Sequence, residues 1–310
     1  MLRSILKHFS IVILASLGWV VHAQNTAERL GYDRDAILLI LHADDLGVAH
    51  AVNAASIAAL ESGVINSASI MVPCPWFPQI ATYAQENPTA DLGLHLTLTA
   101  EWEQYKWDGV LGAGEIGSLL TESLHFPASV AEVVAAAKVK ELEKEITGQV
   151  ERALAFGIRP THLDSHMGTL FQTPAFFKAY QRVGKQYKIP VFIPYGSLSA
   201  APQLTNTIME GQILVDRLFM INPGIKSYDW KEYYLDILRN MQPGLNQIIV
   251  HLAYDNSEMR AVTVNHPDFG SAWRQRDLEA LQNEAFRELI ETRNIKLVTW
   301  RQIQEAMYGE

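Results

Sequence analysis

A single cysteine, Cys74, stands in 310 residues, so no intrachain disulfide can form and stability must come from a packed core. It lies in Met-Val-Pro-Cys74-Pro-Trp and reads as a small buried residue rather than a nucleophile. Basic runs and basic–aromatic stripes are missing, and the net charge is -9, which argues against nucleic acid as a partner. Neither a nucleophile elbow, a Walker loop, a Gly-x-Gly-x-x-Gly fingerprint nor a Cys-x-x-Cys pair occurs. Ser–His–Asp catalysis and nucleotide cradling therefore have no support. No repeat, low-complexity linker or composition break divides residues 24–310, so one domain is expected there.

The first residues carry a pattern of their own. A short basic stretch with Arg3 and Lys7 precedes an apolar run over 9–21, and Ala23 supplies the small residue of a cleavage site. This is the design of a secretory signal peptide, cut near Ala23 or Gln24. The apolar run is shorter than the roughly 20 residues of a spanning helix. The expectation is an exported protein, periplasmic or secreted, with no membrane segment once residues 1–23 are removed. No cysteine follows the run to carry a lipid.

Beyond a polar stretch, strand-like and helix-like segments alternate. Residues 36–42 are a continuous apolar run, as in a strand covered on both faces. Further strands are expected at 67–72, 91–98, 161–166, 191–195, 247–252 and 295–300. Helices are expected at 49–61, up to about 86, and over 130–156, 174–187 and 272–292, with Gly157 ending the third before Pro160. Residues 99–129, rich in Gly, Trp and Glu, read as a loop insertion, and 197–233 show no clear pattern. Such alternation points to an α/β fold with a parallel sheet, open or closed.

Polar residues gather just after the strand segments, where a (β/α) barrel places its active face. Asp44 and Asp45 follow the first strand, and His95 interrupts the leucines of the third. His162, Asp164 and His166 close the fourth, and His251 stands near the end of a late strand. Adjacent carboxylates repel one another unless a cation binds one of them, although an aspartate there can also cap the next helix. Imidazole and carboxylate are the usual ligands of a catalytic divalent ion. An ion held by three protein groups keeps positions open for water, and Asp164 is spaced to orient a ligand histidine from behind.

Residues 40–47 (Ile-Leu-His-Ala-Asp-Asp-Leu-Gly), 93–98 (Gly-Leu-His-Leu-Thr-Leu) and 160–166 (Pro-Thr-His-Leu-Asp-Ser-His) resemble, in order and spacing, motifs of the YdjC-like carbohydrate deacetylases. This family includes chitooligosaccharide deacetylase and hopanoid-linked sugar deacetylase. The resemblance implies a deformed (β/α) barrel of the polysaccharide-deacetylase type. It also implies one divalent ion, zinc or magnesium, on Asp45, His95 and His166, and removal of an N-acetyl group from a small carbohydrate substrate. Asp44 would then be the general base and His251 the acid, with His162 and Asp164 in supporting or substrate positions.

Two departures bear on the substrate. Met167-Gly168 stand where the family often has a further histidine, and Leu252-Ala253 replace a usual Pro-Gly after His251. Residues 265–274 have no assigned counterpart. They supply either a sugar-stacking Trp273 or a helix start capped by Asp268 or Ser271. Trp102, Tyr105 and Trp107 offer either sugar-facing rings or a self-packed loop. Another amidohydrolase, an O-acetyl esterase and a non-catalytic sugar-binding protein remain open as alternatives.

Overall fold

The computed structural model describes residues 25–309, so the expected signal peptide lies outside the described residues. Seven strands form the framework: β1 (Ile37–Leu46), β2 (Ser67–Ile70), β3 (Leu92–Leu96), β4 (Leu163–Ser165), β5 (Arg217–Met220), β6 (Gly244–His251) and β7 (Lys296–Leu297). They pair in the order β4-β3-β2-β1-β6-β5, and every ladder is parallel. The two-residue β7 lies against the first half of β1, at Leu38 and Leu39, while β2 takes the second half from His42 onward.

The gap between β4 and β5 is spanned by residues 191–194. Val191 bridges Leu163 and Pro194 bridges Val215, so the sheet curls into a deformed (β/α) barrel. Pro190 and Pro194 flank this segment and lack N–H donors, which keeps it from forming a regular ladder.

Two apolar layers hold the barrel. Leu38, Ile40, Phe192, Val215, Leu245, Ile249 and Trp300 pack together within it, and a larger layer joins the outer sheet face to the helices. This double burial explains the unbroken apolar run of β1. Trp300 opens the helix Trp300–Tyr308, and its indole N–H donates to Gln247 Oε1 at 3.1 Å.

Several expected elements are interrupted. The strand expected over 295–300 pairs only at 296–297, because Thr299 and Gln302 form a capping box that starts the last helix. The helix expected over 130–156 is two, Val130–Ala136 and Val139–Ala155. Ala137 and Lys138 are extended at the break, where the Lys138 N–H donates to Ser118 Oγ at 2.9 Å. The helix expected over 272–292 likewise splits into Ser271–Leu281 and Glu284–Thr292, with Asn283 capping the second. Within 197–233 lies β5, whose Leu218 and Met220 are 39% and 38% exposed and so hid its pattern. Cys74 is buried as expected. Among the described residues no helix is long and apolar enough to cross a membrane.

Candidate metal centre

Strand alternation would send Asp44 and Asp45 to opposite faces. The β1–β2 register shifts between Ala43 and Leu46, and Asp45 adopts a left-handed backbone with φ 73°. This local turn brings both carboxylates to one end of the barrel. Neither caps the following helix His50–Glu61, whose N-cap Ala49 accepts no side-chain bond. His95 comes from β3, register-paired with Asp164 on β4. His166 begins a 3₁₀ segment directly after β4, and His251 ends β6 opposite Asp44.

Asp45 Oδ1 faces two imidazoles, His95 Nε2 at 3.4 Å and His166 Nδ1 at 3.6 Å. This oxygen is buried and has no hydrogen-bond partner. The far nitrogen of each ring is engaged by a carboxylate. His95 Nδ1 lies 2.6 Å from Asp164 Oδ1, and His166 Nε2 lies 3.0 Å from Glu101 Oε2. An ionised carboxylate only accepts, so both rings donate outward and turn a lone pair toward Asp45 Oδ1 when neutral. Asp45, His95 and His166 are thus a buried group whose donor atoms lie close enough to hold one ion.

The charges around this group are strongly biased. Burial pushes the Asp45 carboxyl up, but the Arg274 guanidinium, 2.7 Å from Oδ2, and the neighbouring histidines hold it well below the usual range. Burial disfavours the charged form of His166, yet Glu101 and Asp45 carry its pKa up to about 10. Asp164 is held low against its own burial by His95 and His42. His42 is fully buried, which alone would lower its pKa, but bonds to Asp164 and Asp44 push it up to about 9.

His251 differs. Its Nε2 lies 3.9 Å from Asp44 Oδ2 and 4.0 Å from Asp45 Oδ2, and burial takes its pKa down to about 4. Its Nδ1 is buried without a partner, and its backbone N–H donates to Asp277 Oδ2 at 3.0 Å.

His162 does not join the others at the cavity. Its ring stacks on Trp300 at 4.9 Å, and Nδ1 meets Thr161 Oγ1 at 3.1 Å. Gly93 makes that position possible, since a Cβ there would fall 2.4 Å from a His162 ring atom. Asp44, Asp45, His95, His166 and His251 do line one cavity of about 680 Å³. Its lining also includes Glu101, Trp102 and Arg274 together with Met167, Phe171, Leu218 and Met220. A cavity of this size and mixed character suits a small organic ligand.

The profile of the family described as YdjC-like protein matches residues 38–292. The chain belongs to that family. Similar relatives include a carbohydrate deacetylase of Thermus thermophilus, 32% identical over 287 residues, covering 91% of this chain and 98% of that protein. A chitooligosaccharide deacetylase of Yersinia enterocolitica is 31% identical over 131 residues, or 42% of this chain and 49% of that one. A crystal structure from Enterococcus faecalis, provisionally assigned to cellobiose-phosphate cleavage, superposes with a TM-score of 0.71 at 21% identity. It covers 86% of this chain and 99% of its own, and supports the fold.

Three residues at or beneath the barrel mouth escaped sequence reasoning: His42, buried below it, and Glu101 and Arg274, which line it. His42 looked like the end of an apolar strand, and Glu101 lay in an insertion noted for its aromatics. Arg274 sits in the segment 265–274, where a helix does start as expected, but without Asp268 or Ser271 as its cap and with Trp273 buried. Trp273 is buried against Trp230 and Phe269, and the N-cap of Ser271–Leu281 is Gly270 without a side-chain bond. Ser271 Oγ instead donates to Asp255, and Asp268 lines the cavity. Trp102 and Trp107 are both 2% exposed and pack on one another at 5.7 Å, so this insertion largely buries its own rings.

Proposed function

We propose that the protein is a metal-dependent carbohydrate deacetylase that removes the N-acetyl group from an amino sugar or short oligosaccharide. The observation that carries this reading is Asp45 Oδ1, a buried carboxylate oxygen without a hydrogen bond, faced by His95 Nε2 and His166 Nδ1. Asp45, His95 and His166 would hold one divalent ion. Two nitrogens and one oxygen favour zinc, whereas magnesium prefers oxygen donors. A divalent ion there supplies Lewis acidity, making water more acidic and a carbonyl more electrophilic.

The chain's own groups divide the proton transfers. Asp44 lines the cavity beside the ligand set and takes the proton of the attacking water as general base. His251, across the same mouth, delivers a proton to the departing amine. Burial keeps its imidazole neutral at rest, so the proton it delivers is the one Asp44 takes from water, passed between Asp44 Oδ2 and His251 Nε2, 3.9 Å apart. His162 acts only by packing beneath the site, and Asp164 by orienting His95. Export of the mature protein to the periplasm or medium is proposed from residues 1–23.

The test is acetate release from N-acetylated and O-acetylated sugars, with metal analysis of wild type, His95→Ala and His166→Ala. The expected result is acetate from N-acetylglucosamine oligosaccharides and loss of bound metal in both variants. Release from O-acetyl esters alone would replace the amide assignment. Full metal occupancy in both variants would overturn the site, and sugar binding without acetate would leave a binding protein.

A further inference from the structure

Beneath the candidate metal centre lies a buried imidazole that the proposed chemistry leaves unused. His42 projects from β1 inside the barrel and is wholly inaccessible. Its Nε2 is 3.1 Å from Asp44 Oδ1, 3.2 Å from Asp164 Oδ2 and 3.1 Å from Ser69 Oγ. Its Nδ1 is 2.9 Å from Ser67 Oγ. The other ionisable ring packed against it is His162, at 5.0 Å between centroids.

We infer that His42 is a positioning residue for Asp44: it holds Oδ1 of that carboxylate from below and leaves Oδ2 as the oxygen that accepts the proton. The inference rests on the reading of Asp44 as the base.

The two oxygens of Asp44 have different surroundings. Among the described residues, the donors within reach of Oδ1 are His42 Nε2 and Ser69 Oγ, the latter at 3.4 Å. Oδ2 has only His95 Nε2 at 3.8 Å and His251 Nε2 at 3.9 Å, both beyond hydrogen-bond length. One oxygen is therefore anchored and the other is free.

The anchor is itself held. Ser67 meets His42 Nδ1 and also bonds Asp91, whose carboxylate accepts the N–H groups of Trp300 at 3.0 Å and Arg301 at 2.8 Å. The run Asp91–Ser67–His42–Asp44 thus connects the start of the last helix to the mouth of the barrel. Ser67 gives its hydrogen to the Asp91 carboxylate and accepts from Nδ1–H, so the second N–H of the His42 imidazolium, on Nε2, is shared between Asp44 and Asp164. Asp164 meets His42 through Oδ2 and His95 through Oδ1, so the bond that orients His95 does not depend on His42. A carboxylate held this way does not swing between rotamers before each turnover, and such alignment is a large part of general-base efficiency.

The experiment compares His42→Leu, His42→Gln and Ser67→Ala with wild type in the zinc-loaded protein. Acetate release from N,N′-diacetylchitobiose, bound zinc per chain and pH profiles are read for each. His42→Leu is expected to lower kcat by about a hundredfold with KM and bound zinc unchanged, as for loss of an aligned base. The acid limb of its kcat/KM profile should also differ from that of wild type, because the proton-accepting carboxylate has lost a neighbouring donor. Gln retains an N–H donor and should recover part of kcat, and Ser67→Ala should fall between.

Wild-type kcat and profile in folded, zinc-loaded His42→Leu would overturn the inference. So would an activity loss that merely tracks lost zinc. If the Leu variant does not fold, unchanged kcat and profile in both His42→Gln and Ser67→Ala would overturn it. Asp44→Asn separates the two levels. Full activity in that variant removes the base reading itself, whereas an inactive Asp44→Asn beside unaffected His42 variants removes only the anchor.

Discussion

Arg274 Nη2 lies 2.7 Å from Asp45 Oδ2, while Oδ1 of the same carboxylate faces His95 and His166. One buried aspartate is thus shared between a permanent cation and the candidate ion site. Arg274 is 1% exposed, and its Nε donates to the Phe269 carbonyl at 2.6 Å, so its position is fixed by the start of its helix.

Replacing Arg274 by Met should therefore act differently with and without metal. Removing one member of a buried ion pair costs about 3–5 kcal/mol, because the other charge is left uncompensated. In EDTA, urea unfolding of Arg274→Met should show a loss of that order. Bound metal supplies an alternative cation to Asp45, so the loss should shrink when zinc is present. Equal losses in both conditions would mean that the ion does not sit on Asp45.

Glu101 engages His166 Nε2 at 3.0 Å and so leaves Nδ1 to face Asp45. Glu101→Gln preserves the shape but removes the charge. Carboxylates behind ligand histidines are worth about 10–100-fold in metal affinity. Competition with a chromophoric chelator should show a weakening in that range, and the metal-free protein should also lose stability in urea, because the buried His166 imidazolium keeps only Asp45 beside it. Wild-type affinity would remove Glu101 from the site.

Gly93 and His162 make a steric prediction. A Cβ at Gly93 would lie 2.4–2.5 Å from three atoms of the His162 ring, closer than real contacts allow. Gly93→Ala must displace the ring from its stack on Trp300, and overpacking of this kind costs about 1–3 kcal/mol. Chemical denaturation should show the loss, and adding His162→Ala should restore part of it. A double variant no better than the sum of the singles would place the strain elsewhere.

Stability should depend on pH through His42. Its folded pKa, about 9, is raised above the ordinary 6.5, so its contribution is complete below about 6.5 and disappears as pH rises through about 9. A shift of that size corresponds to roughly 3 kcal/mol at most. Metal-free wild type should lose stability across this window in urea titrations, and His42→Gln should lack that part of the slope. Parallel slopes would mean that His42 is neutral in the folded chain.

How much of this was legible in the sequence varies by residue. The run over 36–42 announced a doubly covered strand, because burial on both faces forces continuous apolarity, and β1 extends through it to Leu46. The breaks at Ala137–Lys138 and Gln282–Asn283 were not legible. Charge and apolar periodicity continue across them, and what stops each helix is a bond to Ser118 or a local cap. β5 escaped because its cavity-facing Leu218 and Met220 are partly exposed, which blurs alternation.

The sequence by itself determined the parallel α/β plan, the strand-end location of the polar residues and, through three ordered motifs, the family. Those features follow from side-chain type and spacing along one chain, which local periodicity records. Only the tertiary structure decided which of these groups meet. The left-handed turn at Asp45 brings two adjacent carboxylates to one mouth, and barrel curvature carries Arg274 there across 229 positions of sequence. It also stacks His162 below on Trp300, while Asp164, 3.8 Å from that ring, meets His95 instead. Such pairings depend on distances between distant segments, which hydrophobic pattern and residue spacing do not encode.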